Sequence, residues 1–409
     1  MSVINNAGAG VTIASWNVRG LGHPIKRGRV FSHLKSLKAD IIFLQETHIA
    51  KTQQSRLRVN WVSQVYQATF TSKARGVAIL FRKNIPFHLE AIVSDPQGRY
   101  VIVSGHINSF PLTLVNVYGP NFDAPDFFCK LFDAVPEDNF TNIVMGGDFN
   151  CFLDPYMDRL SQRPPPVLLS VNVLKNLLNS RNLVDIWRLQ HPTQKEFSFY
   201  SHVHKSYTRI DYFLVNSELI SNVEDTKCHN ILISDHCPIT LQLKCNIAKE
   251  KYSWRFNPLL LKDPLFNKYI MSKLNEFLEI NDNGEVSDCT LWESLKVVMR
   301  GYVISYEAHK KKTNSDRLLE IQRELTLIEH AHRSSLAQSD YNKILKLKDE
   351  YNSILSKYSN LFFDKLVIPQ LPEFCKIELD AFPSGKSPGP DGFGSEFYKA
   401  FSKQLLPYM

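Results

Sequence analysis

Six short segments carry the residues of this chain best suited to chemistry: Ser15-Trp16-Asn17, Gln45-Glu46-Thr47, Asn116-Val117-Tyr118-Gly119-Pro120, Gly147-Asp148-Phe149-Asn150, Arg209-Ile210-Asp211-Tyr212 and Ser234-Asp235-His236. Each sets an Asn, Glu, Asp, Tyr or His beside an apolar, strand-like run, so separate strands can deliver acceptors and donors to one cleft. Phosphodiester hydrolysis needs such a set: a carboxylate for a hard cation, a carboxylate to orient water, and donors for the phosphorane oxygens. Taken singly, each segment also has a plain structural reading. Glu46 suits a strand-end ion pair, Asp148 and Asn150 suit a turn after Gly146-Gly147, and Asp235 suits a cap before Pro238. Six such segments in one chain make coincidence a poor explanation.

The elements that must position these residues can be read from hydropathy. Apolar runs predict strands at 12–18, 40–45, 76–81, 100–107, 112–117, 142–146, 207–215 and 239–243. Helical spacing puts Val30, Leu34 and Leu37 on one face, then Phe128, Leu131, Phe132 and Val135, then Leu174, Leu177 and Leu178. Helices between strands cover a sheet, so a layered α/β domain is expected, with the six segments at strand ends.

In their order and types the segments resemble the endonuclease/exonuclease/phosphatase superfamily, which includes deoxyribonuclease I and the apurinic endonucleases. Within it, residues from about Thr12 to Leu243 are most similar to the amino-terminal endonuclease of long interspersed element retrotransposons, which lack long terminal repeats. The resemblance implies a four-layer α/β sandwich of two stacked sheets flanked by helices, followed here by a mostly helical extension. It implies Mg²⁺ as cofactor, with Mn²⁺ as a substitute, and Glu46 as principal ligand supported by Asn17 and Asp211. Asp148 and Asn150 match the pair that orients water and the scissile phosphate. His236 matches the histidine on the phosphoryl oxygen, with neighbouring Asp235 expected to hold it and to lie near the metal, because a carboxylate on one ring nitrogen fixes the tautomer. Tyr118 matches a donor to phosphate. Ser198 stands where many relatives carry Thr as a phosphate contact, and Arg159 is a candidate DNA contact although one extra residue precedes it. The stretch Tyr200 to Lys205, with His204 and Lys205 at its tip, matches a hairpin that probes DNA in related retroelement enzymes.

Composition agrees with these expectations. The 409 residues exceed what one core usually serves, and 44% hydrophobic and 11% aromatic content suit a packed protein. Residues 1–245 carry a net charge of +6 (25 Lys and Arg against 19 Asp and Glu) of the total +7, the direction that counterion release on DNA requires. Lys26, Arg27, Arg29, Lys73, Arg75, Arg82 and Lys83 are the candidates for phosphate contact. Seven cysteines without a C-x-x-C pair argue for a reducing compartment, nucleus or cytoplasm, and no apolar run suits a membrane.

Three domains are expected: an endonuclease over 1–245, a helical connector over 246–370 and the beginning of a reverse transcriptase over 371–409. In the connector, Leu318, Ile321, Leu325 and Ile328, then Ile344, Leu347, Tyr351, Ile354 and Tyr358, step by three and four around a polar break at 334–340. That pattern predicts an antiparallel helical hairpin. The last segment, with Ser384 to Gly392 dense in Gly and Pro, resembles a retroelement polymerase before its palm carboxylates, so no polymerase activity is expected. The expected function is an Mg²⁺-dependent endonuclease that nicks double-stranded DNA and leaves a 3′ hydroxyl to prime reverse transcription, with element RNA as a further partner. The rivals are an apurinic-site repair enzyme or phosphatase of the same superfamily, and a catalytically idle nucleic-acid-binding fragment.

Overall fold

The computed structural model describes residues 9–136, 142–247, 254–363, 388 and 391–405. They divide into two compact units: the first holds 9–136, 142–247 and 322–356, the second 254–321, 357–363, 388 and 391–405.

In the first unit, β1 (Ala9–Asn17), β2 (Ile41–Gln45), β3 (Val62–Ala68), β4 (Val77–Arg82), β5 (Phe87–Ser94), β6 (Tyr100–Ile107), β7 (Phe110–Tyr118) and β8 (Ile143–Asp148) lead to a short β9 (Arg159–Leu160). The chain continues through β10 (Leu183–Asp185), β11 (Phe199–Ser201), β12 (Ser206–Thr208), β13 (Asp211–Asn216), β14 (Val223–Cys228) and β15 (Ile239–Ile247). These build two six-stranded sheets, ordered β14-β15-β1-β2-β4-β3 and β10-β13-β8-β7-β6-β5, and a small β11-β12-β9 sheet. The alternation of side chains along each strand makes the layers. Ile13, Phe43, Ile79, Val103, Leu114 and Phe213 fill the space between the two sheets. Their neighbours Ala14, Trp16, Ile42 and Leu80 face the other way, onto Val30, Phe31 and Leu34 of α1 (Pro24–Ser36). On the opposite side Val115, Met145 and Leu214 meet α2 (Pro125–Ala134) and α3 (Leu169–Ser180) through Phe128, Leu131, Leu174 and Leu178. The expected four-layer sandwich is therefore present, with α4 (Ile186–Gln190) beside it.

Register gathers the strand ends. β1 runs parallel to β2 with Asn17 opposite Gln45, and β7 runs parallel to β8 with Tyr118 opposite Asp148. β13 is antiparallel to β8 and begins with Asp211 opposite Asp148. Beneath this rim the sheets are tied by a buried side chain pair, Gln45 Nε2 donating to Asn116 Oδ1 at 2.7 Å, while Asn116 Nδ2 donates to the carbonyls of Leu44 and Ala78.

α6 (Asp288–Ser335) and α7 (Gln338–Phe363) follow one another in the region read as a helical hairpin, with Leu336 in left-handed backbone (φ 50°) at the turn between them. Residues 322–356 belong to the first unit, so that unit extends past the boundary expected near 245. The second unit includes α5 (Pro264–Asn281), α8 (Ser395–Ala400) and α9 (Ser402–Leu405). One core joins Phe256, Phe266, Leu295 and Met299 to Phe393, Phe397 and Phe401, so residues 391–405 share a core with the connector. Asp391 accepts the Phe393 N–H at 3.0 Å, as a turn residue does. The rest of the expected polymerase start, including Lys386, lies outside the described residues. No helix among the described residues is long and apolar enough to cross a membrane.

His33, on α1, is fully buried, and its Nδ1 is 2.7 Å from the hydroxyl of Tyr351 on α7. Burial, with a smaller contribution from His229, pushes its pKa down to about 3. The unfolded chain takes up a proton near pH 6.5 that the folded chain refuses, so stability falls as pH drops below 6.5. His33 alone should cost about 1.4 kcal/mol between pH 7.5 and 5.5. Urea midpoints at pH 7.5 and 5.5 measure it: His33→Leu should flatten the dependence, and an unchanged slope would contradict this origin.

Candidate active site

Glu46 follows the last residue of β2 in left-handed backbone (φ 50°), as does His48 two residues on (φ 50°). Non-glycine residues held there cost of order 1 kcal/mol each, and such positions cluster at functional sites. The turn aims the Glu46 carboxylate at the rim. Asn17 Nδ2 donates to Glu46 Oε1 (3.0 Å) and to Asp148 Oδ2 (2.8 Å), and His48 Nε2 lies 3.2 Å from Glu46 Oε2. Burial works to raise the Glu46 carboxyl, but hydrogen bonds from His48, Asn17 and Tyr118 outweigh it and bring the pKa down to about 2. Burial and the neighbouring carboxylates push the Tyr118 hydroxyl well above its ordinary value, so it stays a donor.

His236 lies between two buried carboxylates. Its Nδ1 is 2.8 Å from Asp211 Oδ2 and its Nε2 is 3.8 Å from Asp148 Oδ2. Burial alone would lower its pKa; Asp211 and Asp148 overcome this and push it up to about 10, so the ring is cationic at neutral pH. Burial pushes Asp148 up to about 7, with His236 and Asn17 opposing and Asp211 assisting. Trp16 Nε1 donates to the His236 carbonyl at 3.0 Å and fixes the segment from below.

Asn17, Glu46, Tyr118, Asp148, Asp211 and His236 are thus brought together, and one expectation is corrected. Asp235 does not hold His236: successive side chains point to opposite sides, and Asp235 pairs with Arg19 at 2.7 Å while Asp211 takes the ring. Asn17, expected as a ligand, turns its amide NH₂ to both carboxylates and its oxygen to the Arg19 N–H, and so links them. Ser198 is fully buried, its hydroxyl accepting the N–H groups of Ile210 and Asp211, so it braces the start of β13. The Asn150 side chain donates to the Gly119 carbonyl at 2.9 Å and its N–H to Asp148 Oδ1 at 2.9 Å, which fastens the ends of β7 and β8.

Arg159 lies on β9 with Nη1 donating to the Arg163 carbonyl, while His204 and Lys205 are exposed at the β11–β12 tip. Of the basic candidates, Arg82 pairs with Asp40 and Arg29 donates to Ser356. Sequence reasoning missed His48 and Arg19, each two residues from a chosen one. It also missed the buried cluster in which Arg209 joins Asp158 (2.9 Å) and Asp185 (2.6 Å) while Arg188 joins Asp158 (2.7 Å). Asp158, the neighbour of the candidate Arg159, was the signal for it.

A hard divalent cation fits this rim. Asp148 and Asp211 bring buried carboxylate oxygens to it, and Asp211 Oδ1 has no hydrogen-bond partner among the described residues. Glu46, half-buried and ionised over a wide pH range, offers a carboxylate of the kind such ions prefer.

A sequence profile of the Endonuclease/Exonuclease/phosphatase family matches residues 14–236. A protein of transposon TX1 from Xenopus laevis is 29% identical over 268 residues, 64% of this chain and 20% of the relative. The chain thus spans about a fifth of that relative's length. The DNA-(apurinic or apyrimidinic site) endonuclease 2 of Schizosaccharomyces pombe is 30% identical over 315 residues, 59% of each chain. The crystal structure of the Xenopus laevis APE2 catalytic domain has a TM-score of 0.48 at 24% identity, covering 59% of this chain and 94% of that one.

Proposed function

The chain belongs to the endonuclease/exonuclease/phosphatase family, and from that premise we propose that it is an Mg²⁺-dependent endonuclease that nicks double-stranded DNA in retrotransposition. The observation that carries the reading is His236 bridging the two buried carboxylates Asp211 and Asp148, with Asn17 linking Asp148 to Glu46. Glu46 would hold the cation, Mg²⁺ with Mn²⁺ as a substitute, which supplies charge neutralisation at the phosphate. Asp148, with a pKa near 7, takes a proton from the attacking water. The cationic His236 and the Tyr118 hydroxyl donate to the oxygens on which charge develops. The water oxygen bonds to phosphorus as the bond to the 3′ oxygen breaks, and that oxygen takes a proton from solvent, leaving a 3′ hydroxyl and a 5′ phosphate. Likeness to the transposon protein supports the role in transposition, and element RNA as a partner belongs to the same proposal. Conversion of supercoiled plasmid to open circles in Mg²⁺ tests the reading: EDTA should stop it, and EDTA-resistant cleavage or intact plasmid would overturn it. A preference of several orders of magnitude for an abasic duplex would move the reading to lesion repair.

A further inference from the structure

The helical hairpin carries polar and aromatic groups at positions where a self-contained coil would bury apolar ones. Along α6, Leu325, Glu329 and His332 are buried at spacings of four and three. They do not only face α7. The His332 Nδ1 is 2.6 Å from the Tyr207 hydroxyl, both residues being almost wholly buried, and its ring stands edge-on to Tyr200 at 5.3 Å. Arg333 pairs with Glu196 and covers the rings of Phe197 and Tyr207. From α7, Tyr341 packs on Tyr200 (5.6 Å) and on His202 (4.7 Å). The two helices therefore grip β11 and β12 at their base and beside their exposed turn, where Val203 is 84% exposed.

That strand pair is wired to the catalytic segment. The Tyr200 N–H donates to the Asp235 carbonyl at 3.3 Å, the Cys237 N–H donates to the Ser198 carbonyl at 2.7 Å, and the Phe199 ring lies 4.7 Å from His236. Resting on the nuclease reading above, we infer that Tyr341 and His332 are positioning residues, which fix the β11–β12 turn against DNA and so set where the strand is cut. Each aromatic contact of this kind shifts a conformational preference several-fold without unfolding the sheet, and Tyr341 makes two of them, on Tyr200 and His202. Specificity would then depend on residues well over a hundred positions downstream of the strands that touch DNA.

The test uses the full chain with Tyr341→Ala and Tyr341→Phe, since Tyr341 is only half-buried and tolerates truncation better than His332. Amide hydrogen exchange over residues 199–208 and the sequenced distribution of nicks along one duplex are measured together. Tyr341→Ala should raise exchange at least tenfold and cut the share of nicks at the preferred positions at least threefold, with kcat at saturating DNA within threefold. Tyr341→Phe, which keeps the ring, should restore both. Unchanged exchange overturns the inference, as does raised exchange with unmoved nick positions in a chain that still nicks. A wild-type chain that leaves DNA intact overturns the nuclease reading and this inference together.

Discussion

Asp148→Asn and His236→Gln should each lower Mg²⁺-supported nicking by about a thousandfold or more. The amide keeps the shape of Asp148 and can still meet Asn17, but cannot take a proton from water. Gln at 236 keeps a donor but loses the cation that Asp211 and Asp148 stabilise in the folded chain. Because the two groups act on one transition state, the double variant should be no more than about tenfold worse than either single one. Glu46→Ala and Asp211→Ala should fall in the same range. Thermal unfolding separates this from misfolding: the variants should keep a cooperative transition near the wild-type temperature. Near wild-type turnover in two of these four positions would remove the assignment of the site.

Arg209→Ala should be the most destabilising single change near the site. The guanidinium is 3% exposed and satisfies Asp158 and Asp185 at once, beneath the rim that Asp211 begins two residues later. Removing it leaves the buried Asp158 with Arg188 as its cation and the half-buried Asp185 with only the Arg188 backbone N–H, a loss of about 3 kcal/mol or more. For a unit of this size that lowers the unfolding temperature by roughly 10 °C. Nicking should fall with the folded fraction and recover on cooling, which distinguishes a structural cation from one that touches DNA. A variant with unchanged stability and weakened DNA affinity would show that Arg209 belongs to the binding surface.

The central strands were legible in the sequence because both faces of those strands are buried. β2, β4, β6, β7, β8 and β13 read as apolar runs, and the candidate groups Glu46, Tyr118 and Asp148 stand where such a run stops. The four strands passed over in the two large sheets, β3, β5, β10 and β14, are the four edges. An edge strand is half-solvated and carries polar residues, as Glu90 and His88 in β5 or Glu224 and Lys227 in β14 show, so its hydropathy gives no run to find. The strand expected at 207–215 is two, β12 and β13, because Arg209 leaves the ladder to reach Asp158 and Asp185. Side chain direction was the other blind spot. Sequence adjacency suggested Asp235 for His236, yet Asp211, 25 positions away, is the partner because antiparallel pairing brings it to the rim. Likewise the helices α6 and α7 were visible in their spacing, but their attachment was not: Tyr351 on His33 and His332 on Tyr207 join segments that no local pattern connects.

The chemistry at the nick tests the central claim most directly. Plasmid opened by the chain in Mg²⁺ should carry a 3′ hydroxyl that a DNA polymerase extends without further treatment, with the matching 5′ end as phosphate. Asp148→Asn protein under the same conditions should give no extendable ends. Nicks that a polymerase extends only after a 3′ phosphatase has acted, or extendable nicks made equally by the Asp148→Asn chain, would contradict a reaction in which Asp148 activates water and the 3′ oxygen leaves.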